Sequence, residues 1–217
     1  DVCSSDLHDL RFYRYLPKIS VIIPTLGRPE GLQKCLDSIA KQSYPQECVE
    51  TVVLDGEGTV PEKVKTGLER AQGDYIVYAA NDTELDVNCL LFALLDSEKE
   101  NKALVSFNEG YLLPDEGNIC AHFIIKRDLI AEIGGEVFCT RITHCGCDNL
   151  LWAKASKLDE AFHQDMARIE HHHFSKGAEY DWVYERGWSK REEDLKILSE
   201  ELARSEEHTS ELQSHSF

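Results

Sequence analysis

Ile19-Ser20-Val21-Ile22-Ile23-Pro24-Thr25, Thr51-Val52-Val53-Leu54-Asp55 and Gly73-Asp74-Tyr75-Ile76-Val77-Tyr78, the last leading into Asn81-Asp82-Thr83-Glu84, decide how this chain folds. Each is a run rich in β-branched residues that ends in a polar, loop-forming residue. Repeated with helices between, such runs build a parallel sheet whose carboxyl edge holds a ligand. Asp55 and Asp82 both fall at that edge, and together they point to a nucleotide and a metal ion.

The intervening sequence supplies the helices. Glu30–Gln42 places Leu32, Cys35, Leu36 and Ile39 on one helical face, and Ser43-Tyr44-Pro45 ends it. Pro61 suits the first turn of a helix running to about Ala71, and Gly73 follows its end. Asp86–Lys99 carries Leu90, Leu91, Leu94 and Leu95 inward. Lys18–Pro24, Glu50–Leu54 and Tyr75–Ala79 are the expected strands of the first half. In the second half, Ala103–Phe107, Ala121–Ile125 and Ala167–His173 read as strands, Asp148–Lys157 and Glu192–Ala203 as helices, Tyr111–Asn118 as a loop and Gly134-Gly135 as a turn. The class is α/β: one domain with a mostly parallel central sheet flanked by helices.

Residues 1–7 and 204–217 are expected to be foreign to this domain. Asp1–Leu7 and Arg204–His215 are what common sequencing-adapter DNA gives when translated, so the natural segment is read as 8–203 of a truncated fragment. The 217-residue chain is formally −17; leaving out Asp1, Asp6 and the net two negative charges of 204–217 brings the segment to −13. Such a balance argues against sequence-independent binding to nucleic acid or to an anionic membrane, but not against an anionic nucleotide held by a local donor cluster. No run approaches a membrane span. Without Cys3, Cys35, Cys48, Cys89, Cys120, Cys139, Cys145 and Cys147 form an odd, scattered set, the pattern of reduced thiols in a cytoplasmic protein.

Six motifs in order over roughly Lys18–Ser175 make the chain resemble the family-2 inverting glycosyltransferases of GT-A (Rossmann-like) fold. They are Val21-Ile22-Ile23-Pro24-Thr25-Leu26-Gly27-Arg28, Leu32 through Cys35-Leu36-Asp37-Ser38-Ile39 with Gln42, Val52-Val53-Leu54-Asp55, Ala71-Gln72-Gly73-Asp74-Tyr75-Ile76-Val77, Asn81-Asp82-Thr83-Glu84 and Gly146-Cys147-Asp148-Asn149-Leu150-Leu151-Trp152. The resemblance implies a nucleotide-sugar-binding half, 18–99, and an acceptor and catalytic half, 100–190. It assigns Pro24, Thr25, Arg28, Asp55 and Asn81 to the nucleotide sugar, Asp82 to a divalent metal (Mn²⁺ or Mg²⁺), and Asp148 to the catalytic base. It implies transfer from a nucleotide-diphosphate sugar to a carbohydrate, lipid-linked or protein acceptor, in the cytoplasm or peripherally at the inner membrane. His171, with His173 as a second candidate, falls where the family often has a histidine that can ligate the metal. Two positions depart from the pattern: Ala80 stands for the first acid of Asp-x-Asp, and Cys147 for the glutamate before the base.

Each assignment has a plainer counterpart. Asp55-Gly56 is a common turn pair, Asn81-Asp82-Thr83 could cap a helix, and an acid at Asp148 suits a helix N-terminus. Tyr111, His122, Trp152, Trp182 and Trp188 could stack on sugar rings or sit in the core. The departures at Ala80 and Cys147 raise a catalytically lapsed domain as the alternative. A zinc site from Cys139, His144, Cys145 and Cys147 with the histidine cluster is disfavoured by the tight Cys145-Gly146-Cys147 spacing. A nucleotidyltransferase is disfavoured by the glycine-poor Pro24–Arg28 loop.

Overall fold

The computed structural model describes residues 16–110 and 120–214, with side chains as far as Ser205. The expected foreign segment 1–7 and the Tyr111–Asn118 loop lie outside these. Seven strands form one sheet: β1 (Ile19–Pro24), β2 (Val49–Leu54), β3 (Tyr75–Tyr78), β4 (Thr83–Leu85), β5 (Leu104–Asn108), β6 (Phe123–Lys126) and β7 (Ala161–His171). Their order across the sheet is β2-β1-β3-β6-β5-β7-β4. The helices are α1 (Pro29–Ala40), α2 (Val60–Arg70), α3 (Cys89–Lys99), α4 (Arg127–Glu132), α5 (Cys147–Lys157), α6 (Trp182–Trp188) and α7 (Arg191–Ser214).

β1 is buried along its whole length, as a strand covered on both faces must be. Ile19, Val21 and Ile23 pack with Cys35 and Ile39 of α1 and Leu90, Ala93 and Leu94 of α3. Ile22 faces the other way, among Val64 of α2, Leu129 of α4, Leu150 and Leu151 of α5, and Leu198 of α7. The α/β class and the flanking helices are as the sequence implies. The sheet itself is mixed. β1, β2, β3, β5 and β7 run one way, while β6 in the middle and β4 at the rim run against their neighbours. An antiparallel return needs no crossover helix, and the stretch between β5 and β6 carries no helical periodicity to make one.

This mixture serves the site. The carboxyl ends of five strands and the amino ends of the two reversed ones all meet at one edge. Three elements differ from expectation there. Thr83–Leu85 pairs with β7 as a strand, with Thr83 opposite His171. α3 therefore starts at Cys89 and not Asp86, whose N–H is taken by Arg168 O at 3.0 Å. β7 begins six residues earlier than Ala167 and stops at His171, because the His172 N–H turns to Asp82 O at 2.9 Å. α4 and α6 are additions, and α7 continues past Ala203 to Ser214.

Candidate functional site

The loops that follow the first three strands are knitted together by their own hydrogen bonds. Thr25, past the proline that ends β1, donates its N–H to Leu54 O at 2.9 Å, tying the first loop to the second strand. Its hydroxyl accepts from Asn81 Nδ2 at 2.8 Å, tying it to the third. Its carbonyl accepts from Lys63 Nζ at 2.8 Å. Lys63 is buried, which lowers its pKa, and the nearby Asp55 carboxylate opposes that shift. Pro24 lies buried at the strand end, while Asp55 is exposed and accepts from the Gly56 N–H at 2.7 Å.

Asp82 is the most heavily engaged side chain of this edge. Its Oδ2 accepts from Arg28 Nη1 at 2.6 Å and from the Tyr184 hydroxyl at 2.6 Å, and its Oδ1 lies 3.5 Å from His171 Nε2. Burial pushes this carboxyl up, but His171, the Tyr184 hydroxyl and the Arg28 charge outweigh it and hold the group well below the usual carboxylate range. Arg28 gives its remaining face to Asp181, with Nε to Oδ2 and Nη2 to Oδ1 both at 2.8 Å. The guanidinium also lies 4.1 Å from the centre of the Tyr184 ring.

α6 thereby rests on the same sheet edge. Asp181 caps it, accepting from the N–H groups of Val183 and Tyr184 at 3.0 and 3.1 Å. Trp182 packs flush on Gly27 at φ +66°, where an added Cβ would sit 2.8 Å from the indole. Arg186 reaches Glu57 in the second loop at 2.6 Å.

Behind Asp82 stands a histidine cluster. Glu109, just past β5, lies 3.0 Å from His171 Nδ1 through Oε2 and 2.6 Å from His122 Nδ1 through Oε1. Burial pulls the His171 imidazole down, but its contacts with Asp82 and Glu109 raise it to about 9. Burial raises Glu109, and the charges and hydrogen bonds of His122 and His171 bring it well below the usual range. Among the described residues, the three-residue group with ligand atoms close enough to share an ion is Glu109, His122 and His171, all within 4.8 Å, and no cysteine belongs to it. His173 commits Nδ1 to Ser175, and burial and the His171 charge push it down to about 4.

Asp148 opens α5. The helix starts from Gly146 at φ +89°, whose missing Cβ makes room for Leu198 of α7. The half-buried Asp148 carboxyl is raised, by burial first and by the Glu109 charge besides, with backbone N–H groups and His144 opposing. The preceding loop is held by one fully buried carboxylate. Asp194 of α7 accepts from the N–H groups of Thr143, His144 and Cys145 at 2.7, 2.9 and 2.8 Å. Cys147 is buried in the core beside Asp148, and burial pushes its thiol up.

Solved structures share this frame. The mannosyltransferase PcManGT of Pyrobaculum calidifontis, solved with GDP-Man and Mn²⁺, superposes with a TM-score of 0.64 at 18% identity, over 83% of this chain and 62% of that one. S. aureus TarS 1–349, solved with UDP-GlcNAc, gives 0.63 at 15% identity, over 85% and 66%. The fold is GT-A. In sequence, a Campylobacter jejuni protein named GalNAc(5)-diNAcBac-PP-undecaprenol beta-1,3-glucosyltransferase is 26% identical over 162 residues, which cover 57% of this chain and 51% of that protein. Glycosyltransferase AglE of Haloferax volcanii is 45% identical over 40 residues, 18% of this chain and 13% of that protein. The chain thus spans about half or less of these relatives. No protein-family model matches it.

The GT-A edge brings Pro24, Thr25, Arg28, Asn81, Asp82 and His171 together as one connected set. Asp55 stands at the same edge without a side-chain bond to them, and His173 lies beside His171, its ring centre 5.1 Å away. Asp148 approaches from α5, within the fields of Glu109 and His144. Sequence reasoning missed Lys63, Glu109, Asp181, Tyr184 and Asp194, and took His122 only as a stacking ring. Asp181 had a readable signal, an N-cap acid before an aromatic turn. Glu109 had one too, an acid and a glycine closing a strand, as at Asp55.

Proposed function

We propose that this chain moves a sugar from a nucleotide-diphosphate sugar to an acceptor hydroxyl with inversion, using Asp148 as the base and a divalent cation held by Asp82 and His171. One observation carries the reading: Asp82 Oδ1 and His171 Nε2 face each other at 3.5 Å on the strand edge, beside the Arg28 guanidinium. A carboxylate oxygen and an imidazole nitrogen suit Mn²⁺ as a donor pair. When bound, the cation neutralises charge on the diphosphate as it leaves. Pro24, Thr25, Asn81 and Asp55 form the cradle for the nucleoside. Arg28 supplies a planar cationic fork for phosphate oxygens once Asp181 gives it up. Asp148 takes the proton of the acceptor hydroxyl as that oxygen attacks the anomeric carbon opposite the leaving group. Its raised pKa makes it a stronger base than an ordinary aspartate.

The donor sugars solved with the structural neighbours define the first assay panel. Release of nucleoside diphosphate from UDP-GlcNAc and GDP-mannose with Mn²⁺ should appear for one of them in the presence of an acceptor. Ala80 and Cys147 favour a second reading, a domain that binds nucleotide without turnover; binding of UDP or GDP with no release across donors and acceptors would select it. Among the described residues, no helix is long and apolar enough to cross a membrane.

A further inference from the structure

Ala80 leaves the edge one carboxylate short, yet a second buried carboxylate stands on the far side of the His171 ring. Glu109 gives each oxygen to a different imidazole, at 2.6 Å to His122 Nδ1 and 3.0 Å to His171 Nδ1. The Glu109, His122 and His171 side chains are 8%, 2% and 14% exposed, so water competes little for these bonds. An ionised carboxylate only accepts, so Nδ1 of His171 must carry a hydrogen, and a cation that displaces the other ring proton would find the lone pair on Nε2. Nε2 is the atom that faces Asp82 Oδ1. The two ring nitrogens point in different directions, so Glu109 and Asp82 cannot both ligate one ion bound through His171. Asp82 is the acid beside Arg28 on the nucleotide edge; Glu109 is the acid behind.

We infer that Glu109 is a positioning residue for the metal centre, fixing the tautomer and ring orientation of His171 from behind, with His122 fixing Glu109 in turn. The inference rests on the reading of Asp82 and His171 as cation ligands. His122 is itself pinned, stacked on Tyr78 with ring centres 5.7 Å apart at 8° and edge-on to His171 at 4.7 Å and 88°. Carboxylates behind metal-bound histidines typically carry about 10- to 100-fold in metal affinity. The chain thus replaces a lost ligand with firmer support for one it keeps.

Titration of Mn²⁺ alone into the purified chain, with free Mn²⁺ read by electron paramagnetic resonance, tests this. Glu109→Gln should weaken binding about 10- to 100-fold, His171→Ala comparably, and the double variant no more than His171→Ala alone, since Glu109 acts through that ring. Melting curves in EDTA report whether each variant folds. Should Glu109→Gln not fold, His122→Asn reads the same link, with weaker Mn²⁺ binding expected and unchanged binding against the inference. Parent-like binding by Glu109→Gln, or full additivity in the double variant, overturns the positioning role and leaves the Asp82–His171 centre standing. Binding lost in Glu109→Gln but kept in His171→Ala makes Glu109 a ligand and overturns it too. A parent chain that binds no Mn²⁺ removes the metal reading and this inference with it.

Discussion

Asp82 joins groups from three distant parts of the chain: Arg28 from the first loop, His171 from the end of β7 and Tyr184 from α6. The His171 contact has a pH signature in the metal-free protein. Its folded pKa of about 9 exceeds the ordinary 6.5, so its contribution to stability is complete below pH 6.5 and is lost as pH rises through 9. In EDTA, the melting temperature of the parent relative to His171→Gln should fall between pH 7 and pH 10; a constant difference across that window would contradict the assignment. At Asp148 the readout is chemical. Asp148→Asn should lower turnover by roughly 10²- to 10⁴-fold, the usual worth of a general base, and leave UDP or GDP binding as in the parent. Turnover retained in that variant would remove Asp148 from the mechanism.

At the scale of elements, α6 and α7 do the work the sequence did not disclose. The strand ends that bear Pro24, Thr25, Asp55, Asn81 and Asp82 were legible because pairing in a pleated sheet favours a β-branched run and a loop residue writes its end. β4 was not, since Thr83–Leu85 is too short to show alternation and owes its pairing to β7, far off in sequence. Glu109 and His122 were hidden for a related reason: only the reversed direction of β6 brings its amino end beside the carboxyl end of β5. α6 covers Arg28 through Asp181, and on the proposed reading this carboxylate competes with a phosphate for the guanidinium. Asp181→Asn keeps a capping side chain but removes that competitor, so UDP should bind more tightly by up to about fivefold, the worth of a half-exposed ion pair of roughly 1 kcal/mol; isothermal titration gives the value, and weaker binding would refute the competition. In α7, Asp194→Ala strands three N–H groups of a half-buried loop and should cost about 3 kcal/mol, seen as a lower urea midpoint.

For the molecule as a whole, the formal charge of −17 repels itself and opposes compaction. Raising NaCl from about 20 to about 300 mM shortens the Debye length to below ~10 Å, and the melting temperature should climb; a fall would mean that the internal ion pairs outweigh the self-repulsion. The anchoring of 143–145 by Asp194 also sets an order in time. Synthesis runs from the amino end, and the groups from Pro24 to Asp82, proposed as the nucleotide cradle, all exist before residue 100 is made. The His171 partner of Asp82 comes next. The loop that aims Asp148 waits for residue 194, nearly fifty residues after it. On the proposed reading, a nascent chain completes its nucleotide edge first and the loop before its base later, once α7 has docked.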